Sequence, residues 1–299
     1  INSFVLLIYI TNYFIYWFPT LAMAENLTLP IFLGIVLLML SKVTPINMFL
    51  FSILSISFYA TKYANLPLTF VAPLVYLVKI FYLDGDYFFK KRLLVLFILS
   101  NITAIGVFSY YEYSTKGTSL INTLIGIFPN FFVGKTPFTE EVVAPRGHSV
   151  PWFSIRYLPQ NLPQYLKMMI GDPTKLLWDS TPLFPRYISL IGIGGLLLGL
   201  LVKNFRFISF SLIVMLLGEI LFMSAFYSID ARYIIHAIQT LVLGFNIFLI
   251  ILLKYLTGKK LKLLFYAMFL SVFLFFLISN AVRLKKQIML NIKYSETRW

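Results

Sequence analysis

The sequence predicts an all-α fold, a polytopic transmembrane helical bundle of about seven to nine spans with one large extracytoplasmic loop. Three observations predict it. Sixty per cent of the residues are apolar and only 12% are charged, where a soluble domain carries about a quarter charged residues. Mean hydropathy is +0.86. Several charge-free stretches of roughly 17 to 23 residues have the length a helix needs to cross about 30 Å of hydrocarbon. They are continuously apolar rather than alternating, which excludes strands as the spanning element.

The candidate spans, in order, are 2–18, 26–41, 46–61, 66–83, 93–111, 187–202, 207–227, 233–253 and 263–282. The first and third are short and carry several Tyr, Asn, Ser and Thr residues, which sets the lower limit of the count. Basic residues of short loops orient the spans. One set of alternate loops holds Lys42; Lys90, Lys91 and Arg92; Lys203 and Arg206; and Lys254, Lys259, Lys260 and Lys262. The opposite set holds Lys62 and Arg232, so the first set is expected on the cytoplasmic side. The basic tail (Arg283, Lys285, Lys286) falls outside in this alternation and is outvoted by the internal loops. The chain thus divides into transmembrane helices at 1–111, an extracytoplasmic loop at 112–186, transmembrane helices at 187–282 and a basic polar tail at 283–299. It opens inside an apolar run with no basic leader region, and we expect it to be a fragment lacking an N-terminal part.

The formal net charge is +14 and there is no cysteine. In a membrane protein such a charge collects at helix ends, where it sets topology and meets anionic headgroups, so no nucleic-acid partner is expected. The absence of cysteine excludes thiol catalysis, disulfides and thiolate metal sites. The 112–186 loop is rich in Pro and aromatics, including Trp152 and Trp178. Residues 161–170 (NLPQYLKMMI) have the pattern of a short amphipathic helix lying in the interface. A loop of this length is usually functional, as a lid or a binding element.

Glu25 lies in WFPTLAMAENLTLP, between an outer turn and the start of a span. A carboxylate there suits a helix N-terminus, with Asn26 and Thr28 available to satisfy free N–H groups. It equally suits a base, or a metal-associated carboxylate, at the membrane surface. Lys62, in FYATKYANLP, is a cation on the outer side. It is either a snorkelling lysine or a phosphate ligand at the bilayer surface. Arg232 stands beside Asp230 and Tyr233 in SIDARYIIHAIQ, either in a weak surface ion pair or as a bidentate phosphate ligand. His236, one turn on, reads as a hydrogen-bonded packing residue. Glu219 is an acid inside an apolar span, which requires a partner or a wet cavity. The loop residues Glu140, Glu141, Arg146, His148 and Arg156 share no diagnostic spacing. No HExxH, P-loop, GxSxG or dinucleotide fingerprint occurs. The glycines of IGIGGLLLG (192–199) read as close helix packing.

Three blocks, MAENLTLPIFLGIVLLML, SFYATKYANLPLTFVAPLVYLV and DARYIIHAIQTLVLGF, resemble the polytopic GT-C glycosyltransferases, in particular the protein O-mannosyltransferase and aminoarabinose-transferase superfamily. His236 and Gln239 depart from that pattern, standing where family members often have prolines. The family's most diagnostic acidic motif, in the first outer loop, has no counterpart here, so the principal catalytic carboxylate is expected in the missing N-terminal part. The resemblance implies transfer of a sugar from a polyprenyl-phosphate donor to an acceptor glycan, lipid or protein at the outer face of the plasma membrane. In that reading Glu25 supplies a carboxylate, directly or through a divalent cation. Lys62 and Arg232, with Tyr233, hold the donor phosphate, and the 112–186 loop covers the site. The alternative classes are a transporter or flippase for a lipid or small solute, with Glu219 on its pathway, and a membrane scaffold binding partners through the loop.

Overall fold

The computed structural model describes residues 25–61, 66–82, 87–117, 154–171, 186–226 and 236–256, with isolated positions between these stretches and scattered helical positions from 260 to 289. Among the described residues no β-strand occurs. The helices are α1 (Glu25–Leu40), α2 (Pro45–Thr61), α3 (Leu66–Phe81), α4 (Tyr87–Lys116), α5 (Leu158–Ile170), α6 (Arg186–Leu201), α7 (Lys203–Met223) and α8 (His236–Tyr255). A 3₁₀ turn at Ile155–Tyr157 leads into α5.

Among the described residues three helices, α4, α7 and α8, are long and apolar enough to cross a membrane. The apolar helices α1, α2, α3 and α6 have 16 or 17 residues. At 1.5 Å per residue they reach about 25 Å, a few ångströms short of the hydrocarbon thickness.

Helix ends have local causes. Thr44 caps α2 through Oγ1, which accepts the Asn47 N–H at 3.2 Å. Pro45 follows at the first helical position, where its missing N–H costs nothing. Helices α4 and α5 are each followed by a glycine in the left-handed region, Gly117 at φ 71° and Gly171 at φ 89°, a conformation that a Cβ makes costly. Elsewhere cations cover the C-terminal carbonyls. Lys79 Nζ in α3 donates to Leu38 O at 3.2 Å and to Ser41 O, at the end of α1. Lys90 Nζ donates to Phe81 O at the end of α3, and Arg206 Nε to Leu200 O at the end of α6, both at 3.0 Å. Each contact satisfies an orphan acceptor and opposes the negative end of a helix dipole.

The chain forms two compact units. The larger comprises Leu27–Met168 with Phe210–His236. Its centre is an aromatic cluster from three helices: Phe51 of α2 lies 4.3 Å from Tyr76 of α3, which stacks on Phe97 of α4 at 5.1 Å. All three rings are buried. Helix α1 joins α2 through Phe32 and Phe58, 6.4 Å apart. Helix α7 meets α3 at Gly218, where a Cβ would come within 2.8 Å of Val71. Helix α4 turns Val95, Ile98, Leu99, Ile102 and Val107 outward, and only 22% of its apolar window is buried. A contiguous apolar face of that extent is unfavourable in water and at rest in lipid.

The other unit comprises Ile1–Asn26, Met169–Ser209 and Ala237–Trp299. Its described core is the seam between α6 and α8. A Cβ at Gly192 would sit 2.5 Å from the Leu241 carbonyl, and one at Gly195 would strike the backbone of Gly244. Gly192 and Gly195 therefore bring two helix backbones together, as the sequence led us to expect.

Several boundaries differ from the sequence expectation. Lys90, Lys91 and Arg92 belong to the start of α4, and Lys203 and Arg206 to the start of α7, rather than to loops. Residues 112–116 belong to α4, so the expected loop begins later than 112. The helix anticipated at 161–170 starts at Leu158. Span 2–18, the stretch 118–153 and the end of the tail (291–299) lie outside the described residues.

Candidate functional site

Inside an apolar helix an ionisable side chain needs a partner, because lipid and packed side chains supply none. Glu219, in the interior of α7, finds it in His236, the first residue of α8. Their Oε1 and Nδ1 atoms are 2.7 Å apart, and both residues are buried. The imidazole ring lies 5.4 Å from Phe32 of α1 at an interplanar angle of 30°, and 5.4 Å from Phe58 of α2, edge-on at 82°. Four segments thus meet at one imidazole. In the neutral Nδ1–H tautomer the ring donates to the Glu219 carboxylate and turns the lone pair of Nε2 away from it. Carboxylates orient catalytic and metal-bound imidazoles in the same way. Nε2 is buried and has no hydrogen-bond partner among the described residues.

A second polar tether fixes α5. Asn161 Nδ2 donates to Phe226 O at 2.6 Å, and the Ser154 N–H to Ala225 O at 2.8 Å. Asn161 and Tyr165 are buried on one face of α5, while Gln160, Gln164 and Lys167 are exposed on the other. The amphipathic pattern is therefore satisfied partly by protein, at the turn that follows α7. Arg156 is exposed in the 3₁₀ turn.

Of the residues singled out for phosphate or acceptor chemistry, Glu25 is the first residue of α1. Lys62, Asp230, Arg232 and Tyr233 lie outside the described residues, as do Glu140, Glu141, Arg146 and His148. Among the described residues no three His, Cys, Asp or Glu side chains group as a metal ion would require. Glu219 and His236 were legible as polar residues in apolar surroundings. Phe32 and Phe58 were not, since aromatics occur throughout a chain with 31 Phe.

No known protein family, curated protein or solved structure matches the chain.

Proposed function

We propose that the chain is a membrane glycosyltransferase that moves a sugar from a polyprenyl-phosphate donor to an acceptor at the outer face of the plasma membrane. What supports this reading is the meeting of α1, α2 and the start of α8 at His236. Phe32 lies seven residues, two turns, after Glu25. Phe58 lies four residues before Lys62, and His236 four residues after Arg232. In sequence the proposed carboxylate and cations thus stand within seven residues of side chains that meet at His236. In the proposed reaction Glu25 takes the acceptor proton as the acceptor oxygen or nitrogen attacks the sugar. Lys62 and Arg232, with Tyr233, hold the phosphate that departs with the bonding electron pair.

The test is transfer of radiolabelled sugar from a polyprenyl-phosphate donor in liposomes. Wild type is expected to transfer, and Glu25→Gln to fall about a hundredfold or more, the scale of losing a general base. Arg232→Ala is expected to weaken donor use without reducing the amount of folded protein. Undiminished turnover in both variants overturns the assignment. A second reading is favoured by the Glu219–His236 pair itself, because a buried acid and imidazole suit a proton-coupled transporter. Absence of transfer, combined with solute uptake that Glu219→Gln abolishes, would select it.

A further inference from the structure

We infer that the junction of α3 and α4 is a binding site for one anionic phospholipid, with its phosphate at Lys90 and Lys91 and an acyl chain in the groove between the two helices. The groove has a volume of about 310 Å³ and an almost wholly apolar lining, with Pro73, Leu74 and Leu77 on α3 and Ile98, Ile102 and Ile105 on α4. It spans nine residues of α4, from Phe97 to Ile105, or about 12 Å. That is most of one leaflet of a bilayer whose core is about 30 Å thick. The polar side chain of Asn101 in the lining is turned to its own helix, donating to Phe97 O at 2.8 Å.

The charge at one end of the groove selects the headgroup. Continuing the α4 stripe of Ile98 and Ile102 back by seven and eleven residues reaches Lys91, and a further turn reaches Tyr87. Both are exposed. On α3 the stripe of Leu77 continues to Phe81, exposed, whose carbonyl accepts from Lys90 Nζ at 3.0 Å. An ammonium has three N–H donors, so this bond leaves Lys90 two more. An aromatic rim, a pair of cations and an apolar slot follow one another in the order of an interface, a phosphate and an acyl chain. Lys42, Lys79 and Arg92 belong to the same end, since Lys79 ties the end of α1 to α3. These five cations outnumber Asp84 and Asp86, which lie in the 83–86 stretch outside the described residues. A zwitterionic lipid would fill the slot equally well but gain less from the cations.

This inference stands apart from the glycosyltransferase reading and needs only that the chain reside in a bilayer. The experiment is native mass spectrometry of the full chain in detergent micelles containing equal amounts of phosphatidylglycerol and phosphatidylcholine. Wild type is expected to hold one phosphatidylglycerol about tenfold or more in preference to phosphatidylcholine, the scale of two cations near an anionic headgroup. Lys91→Gln, at an exposed position, is expected to reduce that preference. Ile98→Trp with Ile102→Trp, which fill the slot, should lower retention of both lipids. Lys254→Gln, at the end of α8, should change neither. Free glycerol phosphate in excess should leave the adduct in place, because the chain contributes to binding. Equal retention of the two lipids by wild type overturns the proposal. So does an unchanged preference in Lys91→Gln, an equal loss in Lys254→Gln, or displacement by glycerol phosphate.

Discussion

The Nδ1 atom of His236 and the Oε1 atom of Glu219 lie 2.7 Å apart, joining the start of α8 to the interior of α7 beneath the rings of Phe32 and Phe58. Both groups are buried, so each relies on the other for this hydrogen bond. Removing one partner should cost about 1–4 kcal/mol, between the range for hydrogen bonds in membranes and that for broken buried ion pairs. Glu219→Leu with His236→Phe should cost less than the sum of the single changes. Thermal unfolding in detergent of the four proteins of this cycle measures the coupling, and additive losses would show the two side chains to be independent.

Two neighbouring glycines of α6 should respond oppositely to one methyl group. Gly195→Ala drives a Cβ into the backbone of Gly244 and should destabilise by about 1–3 kcal/mol. Gly194→Ala meets nothing within 4 Å, and should stabilise by about 0.5–1 kcal/mol through helix propensity. Melting temperatures of the two variants, measured side by side, decide it; no loss at Gly195→Ala would refute the close approach of α6 and α8.

Asn161 is expected to hold α5 locally rather than to support the whole fold. Asn161→Leu leaves the Phe226 carbonyl without this donor, at about 1–3 kcal/mol. Hydrogen exchange should quicken across 154–170 while the α2–α3–α4 aromatic cluster stays protected. Uniform acceleration would contradict this division.

Lys79 should matter as a cap. Lys79→Met keeps the aliphatic stem but withdraws the donor from Leu38 O and Ser41 O, for an expected loss of about 1–2 kcal/mol. Lys79→Arg, which keeps the charge and donors, should recover part of it. Chemical or thermal denaturation of the pair provides the comparison, and equal losses would point to packing as the role of this side chain.

The helices were legible where the sequence ran without charge: 26–41, 46–61 and 66–83 anticipate α1, α2 and α3 within two residues at each end. The starts of α4 and α7 were not, and for one reason. Hydropathy stops at Lys90–Arg92 and at Lys203–Arg206, whereas the backbone hydrogen bonds run through these long side chains, whose charged ends reach back to carbonyls such as Phe81 O and Leu200 O. The convergence at His236 was half legible. An acid and a histidine in apolar surroundings announce a need for partners, but periodicity cannot say that they satisfy each other across 17 residues, nor which phenylalanines close around them.

The seam of Gly192, Gly195 and Gly244 joins α6 to α8 with the whole of α7 between them in the chain. If helices form one after another during synthesis, α6 has to wait, with the face of Gly192 and Gly195 uncovered, until α8 has been made. Biogenesis therefore includes an interval in which this face can pair with a wrong helix, and completion of α8 closes it.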